Sequence, residues 1–166
     1  LIKKVKSTTK GACFSSGIRL QILCFADDIL LISDDPNDLQ KMIDTCYRYA
    51  CDHQFMFSTT KSKTMIIHHK PTKHKKLVWH LGDTTLKRVT SYRYLGVDLT
   101  QCAGIGARAL PFKAHHERVL WRAETRLNMV KHLGMCRDGL NPKTSIKLYK
   151  LLIRPLFEYA VPALCW

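Results

Sequence analysis

QILCFADDILLIS, residues 21–33, sets two adjacent carboxylates, Asp27 and Asp28, between short apolar runs at 22–26 and 29–32. Each run has strand length and is rich in Ile and Leu. Both are too short for a typical helix, and the acids break the stretch at its centre. The stretch therefore predicts a β-hairpin with the acid pair at its tight turn. Like charges side by side repel, and a low-dielectric hairpin base makes this worse unless a cation sits between them. Hard oxygen donors at a turn suit Mg²⁺, so the pair is a candidate metal site. Asp34 and Asp35 are adjacent as well, but Pro36 and an amphipathic run follow them. Asp35 reads as a helix N-cap with Pro36 at the first helical position, and Asp38 adds charge near the helix N-terminus. No helical period begins at Asp27, so capping does not account for the first pair.

Upstream, residues 1–17 are basic and polar and predict a fraying end or a partial strand. From Ile18 an alternation runs toward the acids, with Ile18, Leu20, Ile22 and Cys24 on one face and Arg19, Gln21, Leu23 and Phe25 on the other. The second face is polar far from the turn and apolar near it, which predicts burial on both sides only beside the acids. Downstream, residues 35–53 predict a helix whose Leu39, Met42, Ile43, Cys46 and Ala50 face the core. Strands are expected at 55–57 and 64–67 around a polar connection, and HHKPTKHKK at 68–76 reads as a loop. Residues 77–81 and 84–86 predict two strands joined by a Gly82–Asp83 turn. Residues 92–99 add one more strand, in which Gly96 permits close backbone approach.

Residues 101–110, rich in small side chains, separate this part from a helical one. In the helix at 111–132, Leu120, Ala123, Leu127, Val130 and Leu133 give an apolar side, and Arg118, Arg122 and Arg126 recur at four-residue spacing. Asn141 caps another helix with Pro142 first. Its Ile146, Tyr149, Ile153 and Leu156 are expected inside, and Lys143, Lys147, Lys150 and Arg154 form a second basic ridge. Pro155 should kink or end that helix, because it removes a hydrogen bond and crowds the Leu151 carbonyl. The expected class is α+β, an antiparallel sheet with a packed helix over 1–99 followed by a helical region over 100–166.

The 166 residues carry 27 Lys and Arg against 13 Asp and Glu, a formal charge of +14. With 46% hydrophobic residues the chain can form one core, or a domain plus an appended piece. The basic excess suits a polyanion, nucleic acid ahead of a membrane surface; a merely soluble basic protein is the alternative. No stretch approaches the ~18 uninterrupted apolar residues of a membrane span. The basic LIKKVK leads into polar STTK, which is not a signal peptide, and the absence of an initiator Met suggests a cut-down reading frame. Seven scattered Cys predict reduced thiols and an intracellular chain, nuclear or cytoplasmic. Cys46, Cys51 and His53 come closest to zinc spacing, but Cys46 falls on the apolar helix face and no second pair completes a tetrahedral set.

Phe25-Ala26-Asp27-Asp28 followed by an apolar strand resembles the catalytic hairpin of reverse transcriptases. Downstream, Lys61-Ser62-Lys63-Thr64-Met65 is similar to their lysine-bearing segment, and Tyr92-Arg93-Tyr94-Leu95-Gly96-Val97 to the segment at the palm–thumb junction. Leu148-Tyr149, Ile153-Arg154-Pro155, Glu158-Tyr159-Ala160 and Trp166 are similar to the thumb of non-LTR (LINE-type) retrotransposon enzymes. The resemblance implies an RNA-directed DNA polymerase working by two-metal nucleotidyl transfer with Mg²⁺, or Mn²⁺, on an RNA template, a DNA primer and deoxynucleotide triphosphates. It implies metal-binding roles for Asp27 and Asp28, and a role beside the leaving pyrophosphate for Lys61, with Lys63 as the alternate. A solvated turn lysine is the other reading of Lys61. Ser58 stands where the family usually has Asn three residues before the lysine. The resemblance also implies that Phe25, Tyr94, Leu95 and Gly96 approach primer or template. The two basic ridges, Arg118, Arg122 and Arg126 with Lys143, Lys147 and Lys150, together with the +14 charge suit a track of duplex phosphates, whereas either ridge alone reads as a solvated helix face. The family's first palm aspartate and its nucleotide-pocket segment have no counterpart before residue 20. The chain alone is therefore expected to be inactive, and a non-catalytic basic remnant or a decayed copy is the alternative.

Overall fold

The computed structural model describes residues 1–14, 16–67, 77–101, 112–134 and 139–160. The charge run at 68–76, the small-residue stretch at 102–110 and Trp166 lie outside the described residues. The chain divides into two compact units, Leu1–Met65 with Lys70–Val89, and Ile66–His69 with Thr90–Trp166. Both mix helices with small sheets, compatible with an α+β chain, and every sheet among the described residues has two strands.

The first unit opens on a helix, α1 (Ile2–Thr8), where a fraying end or strand was expected. So short a helix is marginal on its own, and docking stabilises it. Val5 is fully buried in a cluster with Ile22, Met42 and Cys46. Next come β1 (Ala12–Cys13), β2 (Arg19–Leu20), β3 (Ile22–Phe25) and β4 (Asp28–Leu31), paired antiparallel as β1–β2 and β3–β4. The strand expected to run unbroken from Ile18 is interrupted at Gln21, whose Nε2 donates to the Thr9 carbonyl at 3.2 Å. Gly11 has φ +70, and a Cβ there would stand 2.5 Å from the Leu20 carbonyl oxygen, so only glycine fits.

Helix α2 (Pro36–Asp52) follows its local signals. The Asp35 carboxylate accepts from the Asn37 amide at 3.1 Å, Pro36 opens the helix, and Met42, Ile43, Cys46 and Ala50 are buried. Beyond it the strand expected at 55–57 is absent. Phe55 packs edge-on to Tyr49 and Phe57, with ring centroids 6.2 and 5.2 Å away, so aromatic contact replaces a ladder. Of the strand expected at 64–67 only Thr64 pairs: β5 (Lys63–Thr64) joins β8 (Lys87–Arg88) in parallel rather than antiparallel. Before that, β6 (His80–Leu81) and β7 (Thr84–Thr85) form the expected hairpin around Gly82 and Asp83, and β8 spans Lys87–Arg88. The Gln40 side chain brackets His80, donating to its carbonyl at 2.8 Å and accepting from its amide at 3.0 Å. The buried Trp79 donates its indole N–H to the Pro36 carbonyl at 3.1 Å. A helix side chain thus satisfies backbone groups that a longer strand would have paired.

In the second unit, the single strand expected at 92–99 is a hairpin of β9 (Ser91–Tyr94) and β10 (Val97–Thr100), with Tyr94 opposite Val97. Leu95 at φ 45 and Gly96 at φ 81 reverse the chain. Positive φ at both central residues is the type I′ pattern that matches strand twist. Three helices follow, α3 (Lys113–Gly134), α4 (Pro142–Leu148) and α5 (Arg154–Glu158), with a π-helical turn at Tyr149–Ile153 between the last two. Asn141 caps α4 by accepting from the Lys143 amide at 2.9 Å.

Pro155 does not end the helical segment: it is the second residue of α5, directly after the π turn. The wider π turn before it accommodates the missing donor, and Arg126 donates to the Leu152 carbonyl at 2.6 Å. The turn also shifts the helical register, and Ile146 and Tyr149, expected inside, are exposed while Ile153 is buried. On α3 only Ala123 of the expected apolar side is buried; Leu120, Leu127 and Leu133 are exposed. Among the described residues no helix is long and apolar enough to cross a membrane.

Candidate functional site

The register of β3 and β4 pairs Ile22 with Leu31 and Phe25 with Asp28, leaving Ala26 and Asp27 as the two-residue turn. Asp27 therefore lies in the turn itself, and Asp28 is the first residue of the returning strand. Ala26 has φ 49 while Asp27 stays at ordinary φ. Positive φ at the first position alone is the pattern of a type II′ turn, which favours glycine there. A side chain held in that region costs on the order of 1–3 kcal/mol, and such strain concentrates at functional sites.

Both carboxylates are exposed, and among the described residues neither is engaged in an ion pair. The hairpin is anchored at its base by buried Ile22, whereas Leu23 is 40% and Phe25 63% exposed. The burial expected on both sides beside the acids is thus not found. The β3–β4 sheet has only two strands, and its tip projects into solvent. Two adjacent, exposed, hard oxygen donors suit Mg²⁺, which keeps several waters and is held by one or two carboxylates. Among the described residues no group of three or more His, Cys, Asp or Glu gathers where it could hold a metal.

Lys61 sits exposed in a turn before β5. Ser58 closes that turn: its hydroxyl accepts from the Lys61 amide at 3.4 Å and its carbonyl from the Ser62 amide at 2.9 Å. The Lys63 ammonium is engaged by the Thr60 carbonyl. Lys61 makes no ion pair with Asp27 or Asp28 among the described residues.

In the second unit the basic residues divide into two sets. Arg122, Lys143, Lys147 and Lys150 are exposed. Arg154 pairs with Glu158. Arg126 is half-buried and committed to the Leu152 carbonyl. Arg118 is also withdrawn from solvent: its Nη2 lies 2.7 Å from Asp98 Oδ2 and donates to the Gly96 carbonyl at 2.7 Å. His115 is buried beside them, with Nδ1 3.2 Å from Arg118 Nη2 and 3.4 Å from the Asp98 amide nitrogen. Two donors converge on Nδ1, so the imidazole is neutral with its proton on Nε2. Burial, then the Arg118 charge, push its pKa below the ordinary 6.5, against the opposite pull of Asp98.

Tyr94 and Leu95 are half-buried, and Tyr159 donates its hydroxyl to the Leu95 carbonyl at 2.8 Å. Sequence reasoning missed Asp98, His115 and Tyr159 as determinants of this hairpin. The one available signal was Asp98, the sole acid within the two strands around Leu95 and Gly96.

Residues 1–99 match the family described as reverse transcriptase (RNA-dependent DNA polymerase). The matched span is more than half of the chain and includes the Asp27–Asp28 hairpin, the Lys61 turn and the Leu95–Gly96 turn. The chain belongs to the reverse transcriptase family. Neither the curated proteins nor the solved structures compared with it yield a significant match.

Proposed function

We propose that the chain is the C-terminal palm and thumb portion of a non-LTR (LINE-type) retrotransposon reverse transcriptase, palm over 1–99 and thumb over 100–166. The observation that carries this reading is the exposed acid pair on a two-residue hairpin turn, lying inside the span that matches the family. The end of that match at residue 99 supports the proposed boundary. When bound, divalent ions supply activation of the primer 3′-hydroxyl and neutralise charge on the triphosphate. Asp27 is the first metal-holding residue in this reading and Asp28 the second. Lys61, with Lys63 as alternate, offers an ammonium to the leaving pyrophosphate, and Phe25 projects beside the acids where a nucleotide or primer end would pass. The Tyr94–Gly96 segment grips the primer, and Arg122, Lys143, Lys147 and Lys150 meet duplex phosphates.

A second reading is that the 166 residues act as a non-catalytic, basic nucleic-acid-binding remnant or a decayed copy. The specific observation favouring it is that no third ligand joins Asp27 and Asp28 among the described residues. Manganese separates the metal site from its absence. Mn²⁺ added to residues 1–166 is expected to broaden the amide NMR signals around Asp27 and Asp28 selectively, and Asp27→Asn to abolish the effect. Broadening that ignores the hairpin removes the metal assignment. The same chain is expected not to extend a primer on an RNA template with Mg²⁺ or Mn²⁺. Extension lost in Asp27→Ala would reject the remnant reading.

A further inference from the structure

The turn between β9 and β10 is held from outside the hairpin at two consecutive carbonyls. The Leu95 carbonyl accepts from the Tyr159 hydroxyl at 2.8 Å, and the Gly96 carbonyl accepts from Arg118 Nη2 at 2.7 Å. These donors sit on different elements, Arg118 on α3 and Tyr159 just beyond α5. The same Arg118 nitrogen is 2.7 Å from Asp98 Oδ2, so one guanidinium ties the turn to the strand that leaves it. Arg118 and Asp98 side chains are 23% and 19% exposed, a pair shielded enough to keep its geometry. Buried His115 closes the cluster, accepting from Arg118 and from the Asp98 amide.

Steric fit adds to the hydrogen bonds. A Cβ on Gly96 would come within 3.2 Å of the Tyr159 ring, so the ring lies close over the turn. Leu95 holds φ 45, a conformation that a leucine adopts only where its surroundings impose it. The surroundings here are Tyr159 and Arg118.

We propose that Arg118 and Tyr159 are positioning residues: they clamp the Leu95–Gly96 turn to the helices of the second unit and so fix where the hairpin presents the primer end. The inference rests on the primer-gripping reading of this hairpin. It reassigns Arg118 from phosphate contact to hairpin support, leaving Arg122 as the exposed arginine of that ridge.

The test uses residues 1–166 bound to an RNA–DNA duplex whose primer carries a photoreactive 3′-terminal base. In the unaltered chain, crosslinks are expected to concentrate on residues 92–97. Tyr159→Phe keeps the ring over Gly96 and removes only the donor; Arg118→Met keeps the aliphatic stem and removes the Nη2 donor. Each is expected to lower the hairpin crosslink yield about fivefold, the shift from one lost net hydrogen bond. Duplex affinity is expected to stay within about twofold, because exposed phosphate contacts set it. Crosslinks that map elsewhere in the unaltered chain overturn the primer reading and this inference together. Hairpin crosslinks whose yield is unmoved by both variants overturn the clamp alone. A fall in yield matched by an equal fall in duplex binding also overturns it, since that is the signature of general unfolding.

Discussion

Asp38 illustrates how far a single residue departs from its local reading. Its place near the start of α2 suggests a charge set against the helix dipole. The carboxylate instead reaches back to the Lys10 and Gly11 amides, which donate at 3.1 and 2.9 Å, and to the Ser33 hydroxyl at 3.0 Å. Burial alone would raise its pKa; the Gly11, Lys10 and Ser33 hydrogen bonds and the Lys41 charge outweigh it and lower the value below 3.8. Asp38→Ala leaves the paired amides without their acceptor and is expected to cost roughly 2–4 kcal/mol. Urea unfolding checks this through a lower midpoint at unchanged slope; a midpoint within error of the parent chain would show that water replaces the carboxylate. Asp35 and Asn141 behave as read, because a cap bonds an amide two residues away. The amide partners of Asp38 lie 27 and 28 residues distant, and no local pattern marks them.

At the scale of elements, the extent and core face of α2 were legible, since its apolar period and its N-cap agree. The helical end of the chain was not. Proline at 155 announced a disturbance, but a π turn rather than a break absorbs it, because Arg126 on another helix takes up a carbonyl there. The packing of α3 on the β9–β10 hairpin carries a pH dependence. His115 is buried and faces Arg118, Asp98, His116 and Arg93, with a folded pKa below 6.5. The unfolded chain therefore binds a proton that the folded unit resists. The stability from neutral His115 is complete above about pH 6.5 and is lost as pH falls below it. Thermal melts of the chain are expected to show a lower midpoint near pH 5 than near pH 7.5, and His115→Gln to flatten that difference. Parallel pH profiles for the two chains would assign the effect to another group.

Over the whole molecule the net charge of +14 dominates, yet the two basic ridges offer fewer exposed cations than their sequence suggests. Arg118, Arg126 and Arg154 each have protein partners, which leaves Arg122, Lys143, Lys147 and Lys150 as exposed members of the two ridges. About four phosphate contacts predict roughly a hundredfold loss of duplex affinity between about 50 and 200 mM salt. Filter binding across that range measures the slope, and Lys147→Ala should make it shallower by about one. A flat response removes the ridges from the interface. The sequence by itself determined the acid hairpin, the capped helix α2, the Gly82 turn and the basic balance. Each of these depends on residues adjacent in the chain or on composition. Tertiary structure alone decided that Phe25 and Leu23 stand exposed, that Asp38 holds the Lys10–Gly11 backbone, and that Arg118 and Tyr159 hold the Leu95–Gly96 turn. Periodicity says which side chains share a face, whereas burial and hydrogen-bond partners depend on what the fold brings against that face. Asp27 and Asp28 show both sides of that division: their types and adjacency were readable in FADD, but the placement of one in the turn and one in the strand came from the register with Phe25.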